Sequence, residues 1–155
     1  MSSEITHRLA ELGITLPDPT PPLANYLPFV RTGDLVFVSG QLPSRGGVVA
    51  YTGKVSVDIA TDGAQTAAQL CFINLLAQLN AACEGDLNRV RRVVRLGGFI
   101  AAPPEFTEHA TVMNGASDLA VAVFGEAGRH ARCTVGVPSL PADACVEVEG
   151  VFEIG

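Results

Sequence analysis

The sequence predicts an α+β fold in which two helices pack on one face of a mixed β-sheet. The predicted elements follow the order strand, strand, long helix, strand, helix, strand, strand. The helical segments carry apolar residues at helical spacing, and the last strand alternates apolar with acidic residues. Because each element then has one apolar side to bury, helices layered on a sheet satisfy the pattern.

The N-terminal residues form a separate region in this prediction. Residues 3–13 have the spacing of a short amphipathic helix. Four prolines within residues 17–22 exclude regular structure and predict an extended connector. We therefore divide the chain into an N-terminal helix and connector, residues 1–25, and a main domain, residues 26–155.

The first half of the main domain contains a hairpin and the long helix. Residues 26–31 and 35–39 are predicted strands around the turn Thr32-Gly33-Asp34. A glycine-containing loop follows, with a possible short strand at residues 48–51. Residues 61–83 are the longest helical candidate.

The second half begins with a valine-rich strand over residues 88–102, in which Gly97-Gly98 is predicted to mark a bend or bulge. Thr107 is the expected N-cap of a helix that runs to about Phe124 and stops at Gly125. Two strands joined by a proline-bracketed turn end the chain.

Composition and charge limit the classes of protein. Hydrophobic residues make up 48% of the chain and charged residues 17%, which favours one domain with a substantial core and surface covered by other subunits. The formal net charge of −6 disfavours nucleic acid as a partner, since nucleic-acid binding depends on Lys and Arg.

A local basic run is the exception to that charge balance. We interpret most of the run as a solvated or subunit-facing side of one strand, with RNA binding as the less favoured alternative. Arg92 breaks the alternation, which indicates a bulge, a buried ion pair or a subunit contact. The run consists of Arg89, Arg91, Arg92 and Arg95.

The four cysteines show neither C-x-x-C pairing nor metal-ligand spacing with histidine. Cys71 and Cys83 fall in an apolar helical segment, where cysteine behaves as a small hydrophobe. Residues 1–12 are polar and amphipathic, unlike a signal peptide, and the long helix is too polar for a membrane span. We therefore expect reduced thiols, a cytoplasmic location and no membrane partner.

Two charged residues near the C-terminus point to a site. Alternation places Arg132 opposite Cys133 and Val135, and Glu147 opposite Val146. An arginine and a carboxylate on the faces of two strands away from the core would suit a site that binds an anion and handles a proton or a water. An exposed cross-strand ion pair, contributing about 0–1 kcal/mol, is the alternative.

Two motifs resemble those of one known family. The segment Ser39-Gly40-Gln41-Leu42-Pro43 is similar to the S-G-Q-[IL]-P motif of the reactive-intermediate deaminase family, RidA or YjgF. Residues 132–149 resemble its second signature, R-x-x-V-x-V-x-x-L-P-x-x-x-x-V-E-[IV]-E. The order and spacing agree over roughly residues 26–154, so the chain is identified as a member of a longer subgroup with an N-terminal helical extension.

The resemblance implies a chorismate-mutase-like fold and a homotrimer with clefts between subunits. It also implies hydrolysis of small reactive 2-imino or 2-enamino acids to 2-oxo acids and ammonia, without a cofactor or a metal. The same family carries the label endoribonuclease L-PSP.

The resemblance also assigns residues. Arg132 matches the carboxylate-binding arginine and Glu147 the water-handling glutamate, which together form the expected catalytic pair. The expected substrate-binding residues are Tyr26, Ser39, Gly40, Asn114 and Thr134, the last standing where the family commonly has cysteine.

Each assignment has an alternative from the residues themselves. Tyr26 could belong to the core, and the Ser39 hydroxyl could bond only to backbone. Asn114 could be exposed, although Gly115 indicates that something approaches closely. Of the two glutamates, Glu149 is expected to be structural and Glu147 catalytic, and the resemblance alone makes that choice.

The departures from shorter family members leave the function open. They are the N-terminal extension, a longer loop between Gln41 and Lys54, Thr134, Gly97-Gly98 and the segment Gly128-Arg129-His130-Ala131. A non-catalytic trimer that binds a carboxylate metabolite is therefore the first alternative. An endoribonuclease is the second and is less favoured, because the chain is acidic.

Overall fold

A computed structural model describes residues 4–22 and 24–155. Within these residues the elements follow the predicted order, with one small additional hairpin. They are α1 (Glu4–Glu11), β1 (Phe29–Thr32), β2 (Leu35–Gln41), β3 (Ser44–Arg45), β4 (Val48–Val49), α2 (Thr61–Ala82), β5 (Val90–Ala101), α3 (His109–Phe124), β6 (Ala131–Val137) and β7 (Val146–Ile154).

Five strands form the main sheet in the order β1-β2-β7-β5-β6. β5 and β6 are parallel, and the other neighbours are antiparallel. The helices α2 and α3 pack against each other and against this sheet. The predicted α+β fold with a mixed sheet is therefore confirmed.

The core lies between the helices and the sheet. Along β7, alternate residues from Val146 to Ile154 are buried, whereas Glu147, Glu149 and Glu153 are only partly buried. α3 can approach α2 because Gly115 has no side chain: a Cβ atom there would overlap the backbone oxygen of Gln65. The close approach that Gly115 predicted is confirmed.

The other face of the sheet exposes apolar side chains. Val30 and Phe37 are cross-strand partners and are 49% and 46% exposed. Val135 on β6 is 42% exposed. Exposed apolar side chains on several strands of one face are typical of a surface that another protein covers.

Two predicted element boundaries are wrong. β1 begins at Phe29 rather than at Tyr26. The N-cap of α3 is Glu108 rather than Thr107, and the side chain of Glu108 makes no cap hydrogen bond. The ring of His109 packs edge-on against Phe106 at 5.0 Å, so a local aromatic contact accompanies the start of this helix where a cap hydrogen bond is missing.

The prediction of a bulge at Gly97-Gly98 is also wrong. The register shifts of β5 lie upstream, between Val90 and Arg92 and between Val93 and Arg95, which confirms the bulge interpretation of Arg92. The two glycines continue the regular pairing. Their lack of a side chain instead leaves room for neighbouring residues, since a Cβ atom at Gly98 would lie 2.5 Å from the sulfur of Met113.

The N-terminal helix packs on the main domain. Ile5 and Leu9 are buried in the same core, and the Nη1 atom of Arg8 donates to the backbone oxygen of Val123 at 2.9 Å. Ser3, the first residue of the predicted helix, lies outside the described residues. The division between residues 25 and 26 stays a prediction.

None of the helices among residues 4–22 and 24–155 has the length and apolar character that crossing a bilayer requires.

Candidate active site

Glu147 lies beneath the end of β2. The pairing of β2 with β7 shifts register between Val38 and Gln41, so residues 39 and 40 arch over the neighbouring strand. A Cβ at Gly40 would lie 2.5 Å from Oε1 of Glu147. Glycine at this position of the S-G-Q-L-P motif leaves the space that the carboxyl group occupies, and a side chain here would displace that group.

The carboxyl group of Glu147 borders a cavity of about 360 Å³. Glu147 is the only charged residue in the described lining. Tyr26 and Gly40 also contribute, so three of the predicted site residues meet here. The other lining residues are Thr20, Pro21, Pro22, Ala24, Pro28, Gln41, Leu42, Ser44, Gly47, Val49, Pro141 and Ala142.

The environment of Glu147 favours its protonated form. Burial raises the pKa of its carboxyl above the ordinary value, and the negative charge of nearby Glu149 raises the pKa further. Among the described residues, no side chain or backbone donor is hydrogen-bonded to this carboxyl. Such a group can hold and release a proton closer to neutral pH than an exposed glutamate can.

Ser39 and Tyr26 occupy different positions around this cavity. The Ser39 hydroxyl donates to the backbone oxygen of Leu27 at 2.7 Å and lies outside the cavity lining. It therefore anchors the segment that precedes β1. Tyr26 is 46% exposed and borders the cavity, so it is not a core residue.

Arg132 belongs to a second group of residues, between β6 and α3. Its Nη1 atom donates to Oδ1 of Asn114 at 2.8 Å and to Oγ of Ser117 at 3.0 Å. Nη2 lies 3.4 Å from the backbone oxygen of Ala110. These three α3 residues recur every three or four positions, so they share one face of the helix. The structure thus brings Arg132 and Asn114 together.

The expected direction of the Arg132 side chain is wrong. Arg132 points to the helix-facing side of the sheet, whereas Cys133 and Val135 are exposed on the other side. β6 is an edge strand, and its helix-facing residues meet the polar flank of α3 instead of the apolar core. Strand alternation alone cannot distinguish the two faces when neither is uniformly apolar.

A directed hydrogen-bond chain continues from Arg132. His130 Nδ1 is 2.6 Å from the backbone oxygen of Gly128, so Nδ1 carries a hydrogen, and in the neutral ring Nε2 is then the acceptor. The hydroxyl of Ser117 lies 2.8 Å from that Nε2 and donates to it. The Ser117 oxygen is then left to accept from Arg132, which holds the guanidinium in place.

Sequence reasoning did not identify Ser117 and His130 as site residues. The available signal was spacing: Ser117 is three residues after Asn114 on a helix, and His130 is two residues before Arg132 at the start of a strand. Such spacings predict a shared face on each element. Nothing in the sequence showed that these two faces meet.

Thr134 is two residues from Arg132 on the same face of β6. Its Oγ1 atom is buried and has no hydrogen-bond partner among the described residues. Buried hydroxyl groups are normally hydrogen-bonded, so this hydroxyl keeps an unused donor on the face of β6 that also carries Arg132.

The two groups of site residues lie on opposite faces of the sheet. Arg132 pairs with Leu96 of β5, and Glu147 pairs with Phe99 of the same strand. Cross-strand partners point to the same side, and residues three apart on a strand point to opposite sides. Arg132 and Glu147 therefore form no ion pair within one chain.

The fold, with one group of site residues around Arg132 and another around Glu147, defines a chorismate-mutase-like α+β protein. Over residues 6–153 the chain matches the family described as "YjgF/chorismate_mutase-like, putative endoribonuclease". The chain belongs to this family, which confirms the family resemblance and the fold that it implied.

Three similar proteins support the assignment. The chain is 44% identical to Protein TCP17 of Trypanosoma cruzi over 154 residues, which cover 99% of this chain and 96% of that protein. The structure of Atu1372 from Agrobacterium tumefaciens is 52% identical with a TM-score of 0.92, and the match covers 97% of this chain and 92% of that one. A "putative endoribonuclease" from Shewanella oneidensis is 34% identical with a TM-score of 0.94, and the match covers 98% and 100% of the two chains.

Proposed function

We propose that this protein is an enamine/imine deaminase, a hydrolase acting on C–N bonds other than peptide bonds. Its substrates would be small reactive 2-imino or 2-enamino acids, and its products 2-oxo acids and ammonia. The observation that carries the proposal is the Arg132 guanidinium, oriented by Asn114 and Ser117 beside the unpartnered hydroxyl of Thr134.

Arg132 supplies the anchor for the substrate carboxylate. A guanidinium makes parallel charge-assisted hydrogen bonds with a carboxylate, and one partner contributes roughly 1.5–3 kcal/mol. Nη1 is occupied by Asn114 and Ser117, whereas Nε has no partner among the described residues and Nη2 makes only a long contact. The guanidinium is thus held in place while it retains donors for a ligand.

Glu147 supplies the proton transfers. Its carboxylate form takes a proton from a water molecule as the water oxygen attacks the C=N carbon. Glu147 returns that proton to the nitrogen, which gives the carbinolamine. It then takes the hydroxyl proton of the carbinolamine and passes it to the nitrogen, so that the C–N bond breaks, the carbonyl forms and ammonia leaves. A carboxyl group whose pKa is raised by burial and by Glu149 suits both the acceptance and the return of the proton.

We further propose that the working form is a homotrimer with clefts between chains. Each cleft would combine Arg132 of one chain with Glu147 of its neighbour, because within one chain these two residues lie on opposite faces of the sheet. The exposed side chains of Val30, Phe37 and Val135 support burial of that face on assembly. The four free cysteines fit a cytoplasmic protein.

The test is the hydrolysis of an imine generated in situ. A serine dehydratase releases 2-aminoacrylate, and its disappearance should be faster when this protein is present. Arg132→Ala should lower kcat/KM at least about tenfold. Arg129→Ala is the matched control, because Arg129 is exposed and pairs only with Glu126 among the described residues. Equal rates for Arg132→Ala and the parent would overturn the proposal.

Binding without turnover would indicate the non-catalytic alternative. A rise in Tm with 2-oxobutyrate, lost in Arg132→Ala and accompanied by no hydrolysis, would identify a carboxylate-binding trimer. No shift with any carboxylate would count against both functions.

The endoribonuclease alternative has weaker support. Arg89 of the basic run donates to the backbone oxygen of Gly155 at 2.9 Å and pairs with Glu84, and Arg95 lies 4.0 Å from Glu149. These contacts reduce the charge available for phosphates. Cleavage of single-stranded RNA by the purified protein, lost in Arg132→Ala, would support this function instead.

A further inference from the structure

The N-terminal connector forms one wall of the cavity at Glu147. Thr20, Pro21, Pro22 and Ala24 border it, although all four precede the residues that carry the family signatures. The opposite wall comes from the loop after β2, including Leu42 and Val49. Both walls belong to segments in which this chain departs from shorter family members.

Two buried amide side chains of α2 hold these walls in position. Gln78 Nε2 donates to the backbone oxygen of Thr20 at 2.7 Å, and Gln78 is 1% exposed. Asn74 Nδ2 donates to the backbone oxygens of Leu42 at 2.9 Å and Ser44 at 3.1 Å. A buried amide is costly unless it is hydrogen-bonded, so these contacts tie both walls firmly to the core. The cavity is therefore held in place by the fold, and the prolines of the connector restrict the backbone of one wall.

The lining is suited to an apolar group. Proline, alanine, glycine, leucine and valine form most of it, and Glu147 is the only charged residue among the described lining residues. A water molecule occupies about 30 Å³ in the liquid, so a three-carbon substrate would leave most of the 360 Å³ unfilled. Cavities of this size and character hold larger, partly apolar ligands.

We infer that this cavity binds the apolar side chain of the substrate. The preferred substrate is then a 2-imino acid with a branched aliphatic, thioether or aromatic side chain, rather than 2-aminoacrylate. The inference rests on the proposed deaminase function. With the carboxylate at Arg132 of a neighbouring chain and the C=N carbon near Glu147, the substituent on that carbon would enter the cavity that Pro22 and Val49 line.

The test compares imines of different size in the assembled full-length protein. An L-amino-acid oxidase generates the imines of alanine, leucine, methionine and phenylalanine in situ, and semicarbazide competes for them. We expect kcat/KM for the leucine imine to exceed that for the alanine imine by at least about tenfold, because three additional carbons enter an apolar cavity.

A matched pair of variants assigns the selectivity to the cavity. Val49→Phe fills the lining and should lower the leucine-to-alanine ratio of kcat/KM roughly tenfold. Val48→Phe is the control, because Val48 is 70% exposed, lies outside the lining and should leave the ratio unchanged. Ala24→Phe, in the exposed connector, repeats the test without touching the core.

The outcomes separate this inference from the function on which it rests. Hydrolysis of none of the imines overturns the proposed function and the inference together. Equal kcat/KM for small and large imines, or equal loss of both in Val49→Phe and Ala24→Phe, overturns the side-chain inference and leaves the deaminase proposal intact.

Discussion

Arg132 and Glu147 point away from opposite faces of one sheet, beside Leu96 and Phe99 of the interior strand β5. This separation has a chemical consequence. An arginine and a glutamate in contact would neutralise each other, whereas here Glu147 has no cation partner among the described residues and Arg132 bonds only to neutral groups. Each remains available to a ligand, and two chains are needed to bring them together.

The first prediction concerns complementation between inactive variants. Arg132→Ala and Glu147→Gln should each be inactive alone. In mixed oligomers refolded from equal amounts, about one quarter of the sites should receive an intact Arg132 and an intact Glu147 from different chains. Imine hydrolysis should therefore return to roughly a quarter of the wild-type rate.

A mixture of Arg132→Ala with the double variant Arg132→Ala/Glu147→Gln is the control and should stay inactive. If the first mixture also stays inactive although mass spectrometry shows mixed oligomers, then the two residues do not share a site between chains.

The second prediction concerns stability and pH. Burial and Glu149 raise the pKa of Glu147, so between its unfolded and folded pKa values the folded chain binds more protons. Stability should therefore fall as pH rises through that window and stay lower above it. Glu147→Gln removes this loss, so its Tm should exceed that of the parent near neutral pH, and the difference should shrink towards about pH 4.

Glu105→Gln is the comparison variant for this titration. Glu105 is exposed, so we expect little change in Tm. A Tm difference for Glu147→Gln that grows as pH falls would contradict the raised pKa.

The third prediction concerns the chain that links Arg132, Ser117 and His130. Ser117→Ala removes one partner of the guanidinium, so Kd for 2-oxobutyrate should rise about five- to tenfold. KM should rise with it while kcat changes less, because a positioning residue acts through Arg132. Ser117→Thr, which keeps the hydroxyl, should restore most of the affinity.

Nitrogen NMR of His130 supplies a readout that loss of stability alone would not change. The wild-type ring should show the Nδ1–H form, with Nε2 as acceptor from Ser117, and the Nε2 resonance should shift in Ser117→Ala. Asp118→Ala, at the exposed neighbouring position, should leave both affinity and spectrum unchanged. An Nε2–H form in the wild type would refute the proposed direction of the chain.

The fourth prediction concerns the contact between α2 and α3. Replacing glycine by alanine inside a helix normally stabilises it by about 1 kcal/mol. At Gly115 the sign should reverse, because the new methyl group would overlap the backbone oxygen of Gln65, which cannot move without displacing α2. We expect a loss of roughly 1–3 kcal/mol in the free energy of unfolding, measured by urea denaturation. A gain in stability would show that the helices separate easily.

Local sequence rules predicted most of the fold correctly. The alternation of β7, the hairpin at Gly33 and the long helix each depend on contacts that neighbours in the chain determine. The failures have tertiary causes. Gly97-Gly98 looked like a bulge, yet these glycines make room for Met113 and Glu149 across two faces of a regular strand.

What the sequence alone determined is the family, the order of elements and the identity of the residues with chemical potential, because motifs and periodicity are local properties. The tertiary structure decided where those residues point. Arg132 faces α3 and Glu147 faces the connector cavity, since an edge strand and a central strand present the same alternation to different surroundings. Which face of a strand becomes a site depends on the elements that pack against it. Those contacts form only when the chain folds.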